Sequence, residues 1–202
     1  MIEKKQEKFK LNLNEDNRKL QSMTPQEMLV WGYETFDNQF AITTSFGIQS
    51  SVLLHMVSKS SLKDKVTIFW IDTGYLPSET YHYAEKLMND LSLNIEVLQS
   101  KLSPARMESL HGKLWDTNNA SDLDKYHEIR KIKPLENALE KNDIQCWASG
   151  VRSNQTENRN QMQFLDVVRK RFSLRPLLNW SNKEIFYYMK KNQLSTHPLF
   201  LK

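Results

Sequence analysis

The sequence is poor in residues that build several common kinds of site and scaffold. It contains one cysteine and five glycines in 202 residues. A single cysteine excludes a disulfide framework, and it excludes a metal or iron–sulfur site held only by cysteines of one chain. No apolar run approaches the ~20 residues that a helix needs to span a bilayer. The first twenty residues are polar and mixed in charge, unlike a secretory signal, so we predict a cytoplasmic protein without a membrane segment.

Charge is abundant but not clustered. The chain has 28 lysines and arginines against 24 aspartates and glutamates, a formal net charge of +4. The densest basic stretch, residues 167–172, is short, whereas nucleic-acid binders usually carry a longer basic stripe with interleaved aromatics. We therefore predict no nucleic-acid partner. The charge balance fits a simply solvated surface as well as a site for a small anion.

Short apolar runs alternate with helical patterns along the chain. Their length and β-branched content predict strands at residues 40–44, 66–71, 94–99 and 144–150, with an edge strand at 172–178. Thr24 with Glu27, and Ser181 with Glu184, have the spacing of capping boxes and predict two helix starts. Ser78 is expected to cap a third helix. Further helices are predicted at about 49–59, from Ser103-Pro104 onward and at 133–142.

This alternation predicts the fold class. Strands separated by helices form parallel sheets through right-handed crossovers, so we expect a single α/β domain with an open, mostly parallel sheet and helices on both faces. The domain is expected to occupy residues 23–202. Residues 1–22 are expected to form a flexible or helical arm that is loosely attached.

Polar segments follow three of the predicted strands at the point where each strand ends. They read TSFGIQS after the first strand, DTGY after the second and GVRSNQ after the fourth. In open α/β sheets, ligands bind beyond the carboxyl ends of the strands. The agreement among the three segments therefore indicates one ligand site at that edge of the sheet.

The first of these segments has the character of a phosphate loop. A strand–turn–helix junction presents unpaired backbone N–H groups at the positive end of a helix dipole. Gly47 would let the backbone approach an anion, and hydroxyls stand at Thr44, Ser45, Ser50 and Ser51. No Gly-Lys-Ser/Thr follows, so this is not a Walker A loop. An ordinary capped turn remains an alternative.

The spacing SFGIQS resembles the SGGxDS loop of the PP-loop ATP pyrophosphatases, the adenine nucleotide alpha hydrolase-like superfamily. It departs from that loop with Phe46 in place of a glycine and Gln49 in place of the acidic residue. Loss of the carboxylate argues against metal-assisted cleavage of ATP and leaves the anion cradle intact.

Those departures resemble the phosphoadenosine phosphosulfate (PAPS) reductases of the thioredoxin-dependent type. Blocks similar to that family follow one another in its order: TTSFGIQSSVLLH, IDTGYLPSETY, HGKLWD, KPLENAL, GVRSNQTENR and RPLLNWSNKEIFYYMKKNQLSTHPL. The resemblance implies reduction of PAPS to sulfite and adenosine 3′,5′-bisphosphate in sulfate assimilation. Thioredoxin or glutaredoxin would be the external reductant, with no bound cofactor or metal. The sequence leaves open whether two copies form a homodimer.

The resemblance also implies a set of site residues. Those implied to bind the nucleotide and sulfate are Ser45, Phe46, Gly47, Gln49, Ser50, Asp72, Thr73, Gly74, Arg152, Gln155 and Arg159, with Lys113, Trp115 and His197 as further candidates. Guanidinium groups bind oxyanions bidentately, which suits Arg152 and Arg159 to that role. Other interpretations stay open: Asp72 as a helix cap, the two arginines in surface ion pairs, and Lys113 and Trp115 as loop packing.

The single cysteine limits which reactions of the related enzymes are compatible with this sequence. The related adenosine phosphosulfate reductases hold an iron–sulfur cluster with paired cysteines, where this chain has Tyr126 and His127, so we expect no cluster and the 3′-phosphorylated substrate. The family's nucleophile is a cysteine in a C-terminal Glu-Cys-Gly-Leu-His motif, which these 202 residues lack. Cys146 is expected to be a buried structural residue in a strand. On this interpretation the chain is the nucleotide-binding body of a reductase without its catalytic tail.

Two other classes of function remain as hypotheses. One is a PP-loop ATP pyrophosphatase or adenylyltransferase, which would depend on ATP and Mg²⁺. The other is a non-catalytic module that binds an adenine nucleotide.

Overall fold

The computed structural model describes residues 2–153 and 161–201, without the side chains of Ile48, Gln49, Phe200 and Leu201. The helices are α1 Ile2–Lys8, α2 Leu13–Gln21, α3 Pro25–Phe36, α4 Ile48–Ser58, α5 Ser78–Leu91, α6 Pro104–His111, α7 Ala120–His127, α8 Lys133–Lys141 and α9 Asn182–Lys191. A π-helical turn, Glu128–Ile132, joins α7 to α8. Within the described ranges, none of the helices has both the length and the apolar character needed to cross a bilayer.

The strands form one twisted sheet. They are β1 Phe40–Thr44, β2 Thr67–Ile71, β3 Ile95–Leu98, β4 Cys146–Ala148, β5 Leu165–Val168 and β6 Arg171–Leu174. Their order is β3-β2-β1-β4-β6-β5, and every neighbouring pair is parallel except β5 with β6. The predicted open, mostly parallel sheet is confirmed.

The far end of the sheet differs from the prediction. The segment 172–178 was expected to supply an edge strand, but β6 lies between β4 and β5, and β5 forms the edge. The two strands make a hairpin whose turn residues, Arg169 and Lys170, have φ of 46° and 64°. Such two-residue turns usually carry Asn or Gly. Because this turn has two cations instead, the sequence contains no signal that predicts the hairpin.

Side chains alternate between the two faces of the sheet and build a core on each. On β1, Phe40 and Ile42 join the larger core, which includes buried residues of α3, α4, α5 and α9. Ala41 faces the other way, into a smaller core with Leu135 and Leu139 of α8. Helices therefore cover both faces, as predicted.

Two of the three predicted helix caps are confirmed. Thr24 and Glu27 form a capping box at the start of α3, and Ser181 and Glu184 form one at the start of α9. Ser78 does not cap α5. The helix already begins at Ser78, the capping position belongs to Pro77, and the Ser78 hydroxyl donates to the Glu79 carboxylate instead.

The N-terminal segment is docked on the domain. Leu20 of α2 has no exposed surface and lies in the larger core. Asn17 contacts the outer edge of β5 through both ends of its amide: Nδ2 donates to the Leu165 carbonyl at 2.8 Å, and Oδ1 accepts from the Leu165 N–H at 2.9 Å. The amide thereby pairs the edge strand as another strand would. The segment contains two helices, one of the two expected states, and α2 is docked on the domain where we expected a loose attachment.

We expect Asn17→Ala to destabilise the domain by about 1–3 kcal/mol, because both backbone groups of Leu165 lose a partner. Urea unfolding monitored by tryptophan fluorescence measures the change. Asn14→Ala is the matched control, since Asn14 lies on the same helix and is exposed. Equal stability of the two variants would show that the amide does not fix the arm to the sheet.

Candidate functional site

The carboxyl edge of the sheet has the topology of a ligand site. From β1 the chain moves outward through β2 to β3, and then returns to place β4 on the other side of β1. Such a reversal opens a crevice between β1 and β4, whose following segments lead in opposite directions along the sheet. The loops that leave β1, β2 and β4 meet at this edge, as the three polar segments predicted.

The β1 loop takes its shape from Phe46 rather than from the glycine beside it. Phe46 has φ of 53°, in the left-handed region, whereas Gly47 has φ of −72° and occupies the capping position of α4. The Phe46 ring is fully buried, with its centroid 4.8 Å from that of Trp70. Its N–H donates to Thr44 Oγ1 at 3.1 Å. Phe46 can therefore offer a ligand only its backbone.

The start of α4 supplies donors for an anion. The Gly47 carbonyl accepts from the N–H groups of Ser50 and Ser51 at 3.0 and 3.3 Å, and the N–H groups before them have no acceptor within a helix. The Ser45 side chain is exposed, and Ser50 Oγ accepts from the Ser45 N–H at 3.5 Å. Ser51 is fully buried and bonds to Tyr83, so its hydroxyl serves the core.

Asp72 organises the β2 loop. Its side chain is 4% exposed. Oδ1 accepts from the Gly74 N–H and the Tyr81 hydroxyl, both at 2.8 Å, and Oδ2 accepts from Gln99 Nε2 at 2.6 Å. Burial and the bond to Asp72 raise the pKa of Tyr81 to about 12. Asp72 thus fixes its own loop and does not cap α5.

Sequence reasoning missed Arg130, which joins two loops of this edge. The residue is 2% exposed; its Nε donates to the Thr73 carbonyl at 2.6 Å, and Nη1 donates to the Leu102 carbonyl. Gly74 has φ of 75°, and a Cβ there would lie 2.5 Å from Arg130 Nη2. Glycine is therefore needed both for the backbone and for the guanidinium. In the sequence, Arg130 stands among lysines and looks like a surface cation.

Comparisons with known proteins point to one family. The family model for the phosphoadenosine phosphosulfate reductase domain matches residues 39–202. The chain belongs to this family. It is 39% identical to a phosphoadenosine 5′-phosphosulfate reductase of Synechococcus sp., over 94% of this chain and 81% of that protein. It is 38% identical to one of Vibrio cholerae serotype O1, over 94% of this chain and 74% of that protein.

One solved structure agrees with the family, and another shares the fold. A phosphate complex of the PAPS reductase of Candida auris superposes with a TM-score of 0.79 at 25% identity, covering 94% of this chain and 91% of that one. An FMN adenylyltransferase of Candida glabrata in complex with ATP superposes at 0.55 with 15% identity, covering 88% and 56%. The second likeness is one of fold alone.

The β4 loop presents one of the three polar residues that the PAPS reductase resemblance implied there. Arg152 is 5% exposed, and it donates from Nη1 to the Trp180 carbonyl at 3.1 Å and from Nη2 to Asn182 Oδ1 at 2.8 Å. Burial lowers the pKa of its guanidinium. These bonds tie the β4 loop to the start of α9. Gln155 and Arg159 lie outside the described residues.

One of the further candidates, Trp115, packs on a small aromatic cluster beside the site. The Trp115 ring lies 4.3 Å from Tyr75 and 5.6 Å from Tyr126, measured between centroids. Tyr126 is 9% exposed and belongs to this aromatic cluster. Lys113 is exposed on the same loop. The arrangement favours loop packing for Trp115.

Cys146 lies at the opposite end of the sheet from these loops. It is the first residue of β4 and pairs with Phe40, the first residue of β1. Its side chain has no exposed surface, and burial raises the pKa of its thiol well above the ordinary value. A thiolate is the reactive form of cysteine, so Cys146 is chemically inert in this fold.

His197 holds the C-terminal segment against α5. Its Nε2 lies 3.0 Å from Thr80 Oγ1, and Nδ1 accepts from the Leu199 N–H at 3.2 Å. Nδ1 must be unprotonated to accept, so the bonded ring is neutral. Tyr83 also donates to the Ser195 carbonyl at 2.9 Å. Burial lowers the pKa of His197 below its ordinary 6.5, against a smaller opposing effect of Glu79.

These contacts predict a dependence on pH. A histidine whose folded pKa is depressed stabilises the fold above pH ~6.5, and that contribution is lost as pH falls toward the folded pKa. We expect His197→Asn to lower stability by about 1 kcal/mol at pH 7 and to reduce the further loss between pH 7 and pH 5. Urea unfolding at both pH values measures this. His82→Asn, an exposed change on α5, is the control, and equal pH slopes for His197→Asn and the wild type would contradict the assignment.

Proposed function

We propose that this chain binds 3′-phosphoadenylyl sulfate at the carboxyl edge of its sheet and acts in the reduction of that molecule to sulfite and adenosine 3′,5′-bisphosphate. The observation that carries the proposal is the β1–α4 turn, an anion cradle placed at the β1/β4 crevice in a chain of the PAPS reductase family. Relatives that the chain matches over most of their length are named for this activity. Thioredoxin or glutaredoxin would be the reductant, and the cytoplasm the location.

The cradle suits the phosphate-rich part of such a substrate. The N-terminus of α4 carries a partial positive charge, and its first N–H groups point out of the helix. Ser45 adds an exposed residue with a hydroxyl, and Gly47 has no side chain at the capping position of the helix. Because Gln49 replaces the acidic residue of the ATP-cleaving relatives, the loop adds no negative charge that would repel a phosphate.

The nucleoside would rest on a loop that is already rigid. Asp72 and Arg130 bind the β2 loop from both sides, so little conformational entropy is lost when a ligand contacts the loop at Thr73. Aromatic surface is close by at Tyr75. This preorganisation supports a site that selects one nucleotide shape.

The redox step needs a thiolate. A thiolate attacks the sulfur of the substrate's sulfate group, the bond from sulfur to the phosphate oxygen breaks, and adenosine 3′,5′-bisphosphate leaves. A second thiol then attacks the cysteine sulfur of the S-sulfo adduct, releasing sulfite and leaving a disulfide that thioredoxin reduces. Cys146 is buried at the far end of the sheet, so we infer that residues 1–202 bind and orient the substrate while another cysteine reacts.

Calorimetric titration with adenosine 3′,5′-bisphosphate, with AMP, and with ATP plus Mg²⁺ tests the proposal. We expect a clear preference for the bisphosphate that weakens with salt. Ser45→Ala should weaken binding of the bisphosphate about tenfold, because the variant loses a hydrogen bond to a charged group. Ser61→Ala removes an exposed hydroxyl away from the site and should change nothing.

Two outcomes would overturn the assignment. Tighter binding of ATP with Mg²⁺, accompanied by release of pyrophosphate, would favour a pyrophosphatase or adenylyltransferase. Equal weak binding of all three nucleotides would show that the domain has no selective nucleotide site.

A further inference from the structure

Arg130 is a buried cation whose described bonds go to neutral groups. It is 2% exposed, and its two assigned hydrogen bonds end on the backbone carbonyls of Thr73 and Leu102. Among residues 2–153 and 161–201, no carboxylate lies within 4.0 Å of its guanidinium. The guanidinium carbon also lies 5.2 Å from the centre of the Tyr75 ring, a cation–π contact. A buried charge that no carboxylate contacts is still costly, which favours a further partner.

One edge of this guanidinium faces a cavity. Within the described chain, Nη2 has no assigned acceptor, and it lies against the space over Gly74 and near Pro104. Both of those residues, and Arg130 itself, line a cavity of about 430 Å³. A water molecule's share of liquid volume is about 30 Å³, so the cavity has room for a small ion together with several waters.

The rest of the lining is suited to an anion. Lys101 contributes a second cation, and it has no ion pair with the described residues. Ser100 and Ser103 contribute hydroxyls, and Ser103 stands at the N-terminus of α6, where the helix dipole is positive. The Ser100 hydroxyl accepts from the Leu102 N–H, which leaves its proton free to donate outward.

Among the described residues that line the cavity, Asp72 is the one carboxylate, and its oxygens already accept hydrogen bonds. Three donors, from Gly74, Tyr81 and Gln99, occupy its two oxygens. The lining therefore carries two cations against one such carboxylate. The remaining positive charge favours an anion on the Lys101 and Arg130 side of the cavity.

We propose that this cavity, between the ends of β2 and β3, binds a free inorganic oxyanion such as phosphate, sulfate or sulfite. The ion would bridge Arg130 Nη2 and Lys101 and would lie apart from the β1–α4 turn. The proposal does not depend on the nucleotide assignment. An ion bound here would contact Arg130, which holds the Thr73 loop, and would thereby tighten one wall of the nucleotide crevice.

Calorimetric titration of the full chain with inorganic phosphate, at constant ionic strength and against chloride, tests the site. Lys101→Ala is the first variant, because Lys101 is exposed and its loss should not disturb folding. We expect this change to weaken phosphate binding about tenfold, because it removes one charge-assisted hydrogen bond to the ion. Lys65→Ala, which removes the same charge before β2 at the other edge of the sheet, should leave binding unchanged.

A second titration separates this site from the nucleotide loop. With adenosine 3′,5′-bisphosphate present in saturating amount, phosphate should still bind with one further equivalent, and Ser45→Ala should not affect that equivalent. Displacement of phosphate by the bisphosphate, equal binding of phosphate and chloride, or equal effects of Lys101→Ala and Lys65→Ala would each overturn the proposal. Arg130→Lys, checked for an intact fold by circular dichroism, should also weaken phosphate binding, and unchanged affinity would contradict the assigned bridge.

Discussion

The carboxylate of Asp72 is the contact on which the geometry of the site depends. It accepts hydrogen bonds from the loop after β2, from Tyr81 on α5 and from Gln99 after β3, while the Asp72 N–H donates to the Leu98 carbonyl at 2.9 Å. Three elements therefore share one buried acceptor. A buried carboxylate is stable only when its oxygens accept hydrogen bonds. If one of the three elements moved away, the carboxylate would lose a donor at a large cost in free energy, so the elements are held together.

Buried arginines extend this network across the edge of the sheet. Arg130 connects the Thr73 loop with the segment before α6, and Arg152 connects the β4 loop with the start of α9. Both guanidiniums are buried, and these four hydrogen bonds end on neutral oxygens. Each guanidinium therefore joins two segments that are distant in the sequence.

The parts of the fold that the sequence predicted share a simple origin. Buried parallel strands are continuous apolar runs, and polar residues follow directly where such strands end, so β1, β2 and β4 and their loops could be found from the pattern alone. The capping boxes are equally local. What the pattern missed depends on contacts between distant segments: the β5–β6 hairpin, whose turn is made of Arg169 and Lys170, and the packing that buries Arg130.

Phe46 shows how such a distant contact overrides a local rule. From sequence alone, a left-handed conformation in this loop would be expected at Gly47, because a residue with a Cβ pays about 1–2 kcal/mol to adopt it. Here Phe46 adopts it, and Gly47 has an ordinary φ. Full burial of an aromatic ring contributes about 1.5–3 kcal/mol, and its contact with Trp70 adds to this, so packing offsets the strain. The backbone of the proposed anion cradle is therefore set by the hydrophobic core beneath it. A change that loosens the core under β1 and β2 removes the packing that offsets the strain at Phe46, so the start of α4 depends on that core as much as on its own sequence.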